Sequence, residues 1–150
     1  MKAVIQRVLQ ASVTIEKQIY SSIGNGLLML VSVEEADNTE DIVWLAQKTV
    51  NMRIFNDEQG IMNRSLLDTN GELLIVSNFT LHASVKKGNR PTYIKAAKRE
   101  ISQPMYENFV SYLANIYNID VKTGIFGADM QVELINDGPV TIIIDTKNRI

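Results

Sequence analysis

Strand-like and helix-like patterns of apolar residues alternate along the chain. Segments rich in Val and Ile at 2–10 and 12–17 predict early strands, and a turn at 24–26 precedes the apolar run 27–33. An uninterrupted apolar run of strand length is typical of a strand that is buried on both faces. We therefore expect this strand at the centre of a sheet.

Two segments with helical spacing follow. After N-cap candidates at 37–39, apolar positions recur three and four residues apart, which predicts an amphipathic helix whose inner face is Ile42, Leu45, Ala46, Thr49 and Val50. A second helix is expected to begin near Ser102, with Pro104 in its first turn. Its predicted apolar stripe is Met105, Phe109, Tyr112, Leu113 and Ile116.

The remaining pattern sets the fold class. Residues 71–81 are predicted to form a strand, and an alternating stretch at 130–134 precedes another strand-like stretch at 140–145. Strands outnumber helices, so we predict an α+β fold with a largely antiparallel, barrel-like β-sheet layer covered by helices. The 150 residues carry no repeat or linker, which indicates a single domain over 1–150.

Composition narrows the setting in which the protein works. No apolar stretch reaches the roughly 18 residues of a membrane-spanning helix, so we expect no membrane association. Gln6 and Arg7 fall where a secretion signal would be apolar, and the chain has no cysteine. Both features predict a cytoplasmic protein without thiol nucleophiles or thiolate metal sites.

The charge is small overall but unevenly placed. The formal net charge is −2, which argues against a general nucleic-acid binder. Residues 86–99 nevertheless carry six cations and no carboxylate, while the rest of the chain is −8. This segment is either a phosphate-binding patch or a solvated loop and helix face, and charge alone does not separate the two.

Common catalytic signatures are missing from the sequence. His82 is the single histidine, which excludes a multi-histidine metal site, and no G-x-S-x-G elbow accompanies it. No phosphate-binding glycine loop is present either, because the Gly-Asn-Gly at 24–26 lacks a third glycine. We therefore predict neither a metal nor a cofactor.

Two segments are unusual enough to be candidate sites. Ser77, Asn78 and Thr80 interrupt an apolar strand, so their side chains either hydrogen-bond at a sheet edge or face a ligand cavity. At 136–141 (Asn-Asp-Gly-Pro-Val-Thr) a turn signal joins two strands. It is either a plain hairpin turn or a stiff backbone wedge, since proline fixes the backbone and glycine leaves its carbonyl uncovered.

With these two segments in place, the sequence resembles the D-aminoacyl-tRNA deacylase family from Met1 to about Asp145. The matching pieces are 3–8, 53–55, Asn63 with 65–68, 77–81, 87–91, 123–124 with 126–130, and 136–141. Two positions depart from the family pattern. Asn78 stands where the family usually has glutamine, which puts the reach of that amide in doubt, and His82 stands where relatives commonly carry tyrosine.

The resemblance implies a homodimer that hydrolyses the ester of D-aminoacyl-tRNA without a cofactor. Because selection would be steric and would read the α-centre, achiral glycine is not expected to be excluded, and mischarged glycyl-tRNA is expected to be a substrate too. It implies catalytic positions at Ser77, Asn78, Phe79 and Thr80. A Gly-cisPro element, Gly138-Pro139, is implied to enter the opposite subunit and reject L-amino acids sterically. The implied supporting positions are Arg7, Met130 and Asn136, and the implied tRNA contacts are Lys86, Lys87 and Arg90.

The expected mechanism needs no side-chain nucleophile. Main-chain N–H groups around Phe79 and Thr80 are expected to stabilise the oxyanion, with the ribose 2′-hydroxyl helping to activate water. Thr80 has no base partner in the sequence pattern, so its role as nucleophile is the less favoured alternative. Two other functions stay open: a tRNA-binding module without catalysis, and a hydrolase of small esters or D-peptides.

Overall fold

A computed structural model describes residues 1–149 of the chain. Its strands are β1 (Lys2–Ile15), β2 (Gln18–Ile23), β3 (Gly26–Ser32), β4 (Phe55–Asn56), β5 (Met62–Arg64), β6 (Glu72–Ser77), β7 (Val121–Thr123) and β8 (Gln131–Asp145). Its helices are α1 (Thr39–Asn51), α2 (Leu66–Thr69) and α3 (Arg99–Tyr117), with a 3-10 turn at Phe79–His82. None of the helices within 1–149 is long and apolar enough to cross a membrane.

The long strand β1 organises the main sheet. One edge of β1 pairs with β3 over its first half and with β2 over its second half, while β8 pairs along the other edge. These pairs are antiparallel, whereas β3–β6 and β6–β7 are parallel. The α+β prediction is confirmed, and the sheet is mixed because connections that include α1 and α3 return the chain in the same direction.

The sheet and the helices enclose the core as the apolar pattern predicted. β3 lies between β1 and β6 in the sheet order, which confirms the central strand. All five predicted inner positions of α1 are buried, and Asn38 caps its N-terminus with a side-chain bond from the Glu40 N–H of 2.8 Å. The α1 face therefore packs as its spacing required.

The predicted start of α3 is wrong. The helix begins at Arg99 rather than near Ser102, so Pro104 lies beyond the first turn. Its apolar stripe is also only partly as predicted, because Ile116 is exposed whereas Tyr106 is buried beside Phe109 and Leu113. A helix that starts without a side-chain cap gives little sequence signal of where it begins.

Candidate active site

A cavity of about 570 Å³ opens where the parallel strands β3 and β6 end. Most of the residues that line it are apolar, and six of these lie on β3, β6 and β8. The polar residues among its lining are Gln6, Ser32, Ser77, Asn78, Ser102, Tyr106 and Asp129. A mostly apolar cavity with a few convergent polar groups is the usual form of a small-molecule site.

The chain turns sharply at the rim of this cavity. The strand predicted to run to Leu81 ends at Ser77, and the 3-10 turn Phe79–His82 follows. The Asn78 N–H donates to the Val31 carbonyl at 2.8 Å, which ties the start of the turn to β3. Ser77, Asn78 and Phe79 all line the cavity, so the predicted polar segment is at the cavity rather than in the middle of a strand.

Asn78 and Thr80 bond to each other across the turn. The Asn78 Oδ1 atom accepts from the Thr80 hydroxyl at 2.5 Å and from the Thr80 N–H at 3.3 Å. Asn78 therefore acts as the cap of the 3-10 turn, a position suited to its short amide side chain. Thr80 itself is exposed and is not among the residues that line the cavity within 1–149.

A basic loop starts directly beside the turn. Ser84 and Thr92 close this loop with two backbone hydrogen bonds of 2.8 and 3.0 Å, and Tyr93 then packs edge-on against Phe79 with ring centroids 5.1 Å apart. The predicted tRNA contacts Lys86, Lys87 and Arg90 are all exposed on it. The base of this loop therefore lies beside the cavity rim.

The second candidate segment is a corner in the middle of β8. Gln6 pairs with Thr141 and Val8 pairs with Asn136, so residues 137–140 bulge out opposite Arg7 alone. Asn136 Oδ1 accepts from the Val140 N–H at 2.9 Å, and its amide donates to Thr141 Oγ1 at 3.0 Å. The corner is therefore closed by its own side chain while β8 continues on both sides.

Arg7 supports this corner from beneath. Its side chain is buried, and its Nε donates to the Asp137 carbonyl at 3.0 Å while Nη1 donates to the Ile54 carbonyl at 2.7 Å. Arg7 Nε also lies 3.3 Å from the Asp137 carboxylate. A guanidinium that bonds two carbonyls on separate segments fixes both in place.

The Gly138–Pro139 bond is cis, and both residues are exposed. Gly138 adopts a φ of +136°, and an added Cβ would lie 2.9 Å from the Val140 side chain and 3.2 Å from Arg7 Nη2, so only glycine suits this position. Among the described residues, the cavity lining includes Met130 but neither Gly138 nor Pro139. The structure thus groups Met130 with the 77–79 segment and leaves the corner on the outer surface.

Sequence patterns missed two residues near the turn. Ser32 ends the apolar strand β3 and lines the cavity, and its hydroxyl lies 2.6 Å from Nδ1 of the buried His82. Tyr106 donates to the Ile75 carbonyl at 2.9 Å, and burial raises the pKa of its phenol. A polar residue at the end of an apolar strand was the available signal for Ser32, whereas Tyr106 looked like an ordinary helix residue.

Comparison with known families decides which family the chain belongs to. The sequence model of the family described as D-Tyr-tRNA(Tyr) deacylase matches residues 4–145. The chain belongs to this deacylase family. It is therefore a carboxylic ester hydrolase that deacylates D-aminoacyl-tRNA, as the resemblance implied.

Deacylase relatives match the chain from end to end. A D-aminoacyl-tRNA deacylase of Bacteroides thetaiotaomicron is 62% identical over 149 residues, and one of Chromobacterium violaceum is 56% identical over 148 residues, with 99% of both chains covered in each case. A solved structure named c-Myc DNA Unwinding Element Binding Protein is 40% identical, with a TM-score of 0.92 over 97% of this chain and 98% of that chain. A probable eukaryotic D-amino acid tRNA deacylase shares the fold, with a TM-score of 0.81 over 95% of this chain and 97% of that chain at 15% identity.

Proposed function

We propose that the D-aminoacyl ester is hydrolysed in the cavity beside the 3-10 turn, with release of free D-amino acid and tRNA. The observation that carries this proposal is the junction of β6 and the turn, where Ser77, Asn78 and Phe79 all face the cavity. Backbone N–H groups at a tight turn are well placed to bind an oxyanion. One such donor contributes about 10²–10³ to the rate of acyl transfer.

The Phe79 and Thr80 N–H groups are the proposed oxyanion donors. The Thr80 N–H is held by Asn78 at 3.3 Å, a long bond that a charged oxyanion can replace. The Thr80 hydroxyl already donates to Asn78 Oδ1, so it has no base to take its proton. We therefore favour activation of water by the ribose 2′-hydroxyl over attack by Thr80.

Asn78 is proposed to act through the shape of the turn. Its amide oxygen caps the turn instead of extending into the cavity. A glutamine at this position would add one methylene and reach further towards the ester. We expect Asn78→Gln to change substrate affinity while the reaction continues, with KM as the measurement.

Chiral selection is proposed to depend on a second subunit. Gly138 and Pro139 are exposed and lie outside their own chain's cavity lining, which suits a role in the cavity of a partner. There the corner would occupy the space of an L side chain and leave the D side chain unobstructed. Glycine has only a hydrogen atom where other amino acids have a side chain, so this steric block cannot exclude it. Glycyl-tRNA is therefore also a proposed substrate.

Binding of the tRNA is proposed to use Lys86, Lys87 and Arg90. All three side chains are exposed on the loop that starts beside Phe79, so a phosphate backbone on this loop brings the 3′ end to the cavity. Replacing one of these cations with a neutral residue should weaken tRNA binding and reduce the dependence of that binding on salt concentration. We place this reaction in the cytoplasm, where charged tRNA is used.

The test is a comparison of ester loss from matched D- and L-tyrosyl-tRNA. We expect rapid loss from the D-ester only. Binding of tRNA without release of D-tyrosine would indicate a binding module. Equal cleavage of free D-tyrosine esters would indicate a general esterase.

Two further measurements separate the parts of the mechanism. Pro139→Ala removes the ring from the corner and should allow cleavage of L-tyrosyl-tRNA, whereas Pro104→Ala on the exposed face of α3 should not. Full sparing of the L-ester by Pro139→Ala would rule out the wedge. A D-tyrosyl-tRNA ending in 2′-deoxyadenosine should react about 10²-fold more slowly, and an unchanged rate would favour attack by Thr80 or by a water that the protein activates.

A further inference from the structure

His82 is the only histidine in the chain and lies at the end of the 3-10 turn. It is 2% exposed, so its ring is enclosed by protein. A buried imidazole requires hydrogen-bond partners, because an unpaired polar atom in the interior is costly. Its partners therefore indicate what the ring does.

Ser32 connects the ring to the other end of the turn. The Ser32 hydroxyl lies 2.6 Å from His82 Nδ1 and 3.4 Å from the Phe79 carbonyl. Phe79 and His82 are the first and last residues of the turn, so one side chain from β3 touches both of its ends. Ser32 also lines the cavity, which places this junction directly behind the proposed oxyanion donors.

Glu34 lies beside the other ring nitrogen of His82. His82 Nε2 lies 3.6 Å from a Glu34 carboxylate oxygen, and it is the one buried side-chain N or O atom without a hydrogen-bond partner within 1–149. A carboxylate beside Nε2 favours the tautomer with the hydrogen on Nε2. Nδ1 is then an acceptor and takes the single hydrogen of the Ser32 hydroxyl, so the 3.4 Å approach of Ser32 to the Phe79 carbonyl is a packing contact in this tautomer.

The surroundings keep this ring neutral. Burial lowers the pKa of His82, and the cations Lys2 and the Met1 ammonium lower it further, while Glu34 and Asp37 act in the opposite direction. These four groups are the charges that face the ring from β1 and from the segment after β3. At neutral pH the uncharged form of the ring therefore predominates.

We propose that Ser32 and His82 form a clip that positions the 3-10 turn for catalysis, with Glu34 fixing the tautomer of the ring. His82 is thus a positioning residue that acts through Ser32 and the backbone of the turn. This inference rests on the proposed function, because it is the oxyanion donors of the turn that the clip holds. Loss of the clip should lower kcat and leave KM nearly unchanged, since the basic loop that binds tRNA is not altered.

Nuclear magnetic resonance of the ring tests the clip without any activity measurement. With one histidine in the chain, ¹⁵N-imidazole signals need no assignment. We expect a neutral ring at pH 7 with hydrogen on Nε2, and a change in the Nδ1 signal in Ser32→Ala. An Nδ1 signal that Ser32→Ala leaves unchanged would overturn the clip, and a hydrogen on Nδ1 would overturn the role given to Glu34.

Matched variants then test its effect on the reaction. Ser32→Ala and His82→Gln should each lower kcat by about tenfold, the effect of losing one hydrogen bond worth roughly 1.4 kcal/mol. His82→Asn keeps an amide atom near the Nδ1 position and should restore most of the rate. Ser111→Ala, an exposed serine on α3, is the control for serine removal.

The outcomes separate the clip from the proposed function. Wild-type kcat in folded Ser32→Ala and His82→Gln would refute positioning even where the deacylase activity is present. An acyl group trapped on Ser32 and seen by mass spectrometry would refute it too, because Ser32 would then be a nucleophile. A wild-type chain that releases no D-amino acid would refute the proposed function, while the ring signals would still decide whether the clip exists.

Discussion

Replacing Arg7 with methionine should loosen the corner at 137–140. Methionine keeps the apolar part of the side chain inside β1 but removes the guanidinium. The Ile54 and Asp137 carbonyls then lose bonds of 2.7 and 3.0 Å. Ile54 is buried, so water cannot easily replace the donor there, whereas Asp137 is half-buried and more accessible.

The expected loss of stability follows from these two carbonyls. A buried carbonyl left without a partner costs about 1–3 kcal/mol, and a bond to a charged donor contributes roughly 1.5–3 kcal/mol. Allowing for partial hydration at Asp137, we expect Arg7→Met to lower the free energy of unfolding by about 3 kcal/mol. Arg7→Lys should lose about half as much, because one ammonium reaches one carbonyl rather than two.

Urea unfolding and the ratio of D- to L-ester cleavage measure the two consequences. A shift of the corner by ~1 Å should change the cleavage ratio by up to about 10²-fold. Arg53→Met, a change of an exposed arginine, is the matched control and should alter neither quantity. If Arg7→Met unfolds with an unchanged midpoint, or keeps the wild-type ratio, then Arg7 does not hold the corner.

Three other expectations concern stability. Burial would raise the pKa of Asp41, but hydrogen bonds from Lys147 and other donors lower it from 3.8 to about 2. The resulting stability, on the order of 1–2 kcal/mol once solvent screening at the partly exposed Lys147 is allowed for, should be complete above pH 3.8 and lost as pH falls towards 2, and Asp41→Asn should abolish this dependence in acid unfolding curves. Because burial lowers the pKa of His82 below 6.5, stability should be complete above pH 6.5 and fall below it, an effect that calorimetry should not find in His82→Phe. Tyr106→Phe leaves the Ile75 carbonyl unpaired and should cost about 1–2 kcal/mol in urea unfolding.

The elements that the sequence predicted best are those whose spacing alone requires burial. The inner face of α1 and the central position of β3 both follow from where apolar residues recur. The parallel pairing of β3 with β6 was not predictable in this way, because it depends on how the connection through α1 returns to the sheet. The start of α3 was misplaced since Pro104 suggested a first turn, whereas α3 carries this exposed proline further along, at the cost of one backbone bond and of crowding against the carbonyl of Glu100.

Some residues of the candidate site could be predicted from local sequence patterns and others could not. The polar residues at 77–80 and the turn signal at 136–141 were visible because each interrupts an apolar pattern. The Ser32–His82 contact was not, since its partners are separated by 50 residues and each looks ordinary alone. Contacts between distant segments depend on the completed sheet, and local patterns carry no information about them.

The corner in β8 is held rigidly because of its position within the sheet. A hairpin turn ends two strands and is free to move at its tip, but this corner lies within one strand that pairs with β1 on both sides. The ladder fixes its two ends, Asn136 closes it and Arg7 holds it from beneath. Gly138 and Pro139 are therefore fixed in position while their outer surface stays exposed. Under the proposed function, this rigid and exposed surface is the part of the chain that the cavity of a partner subunit would receive.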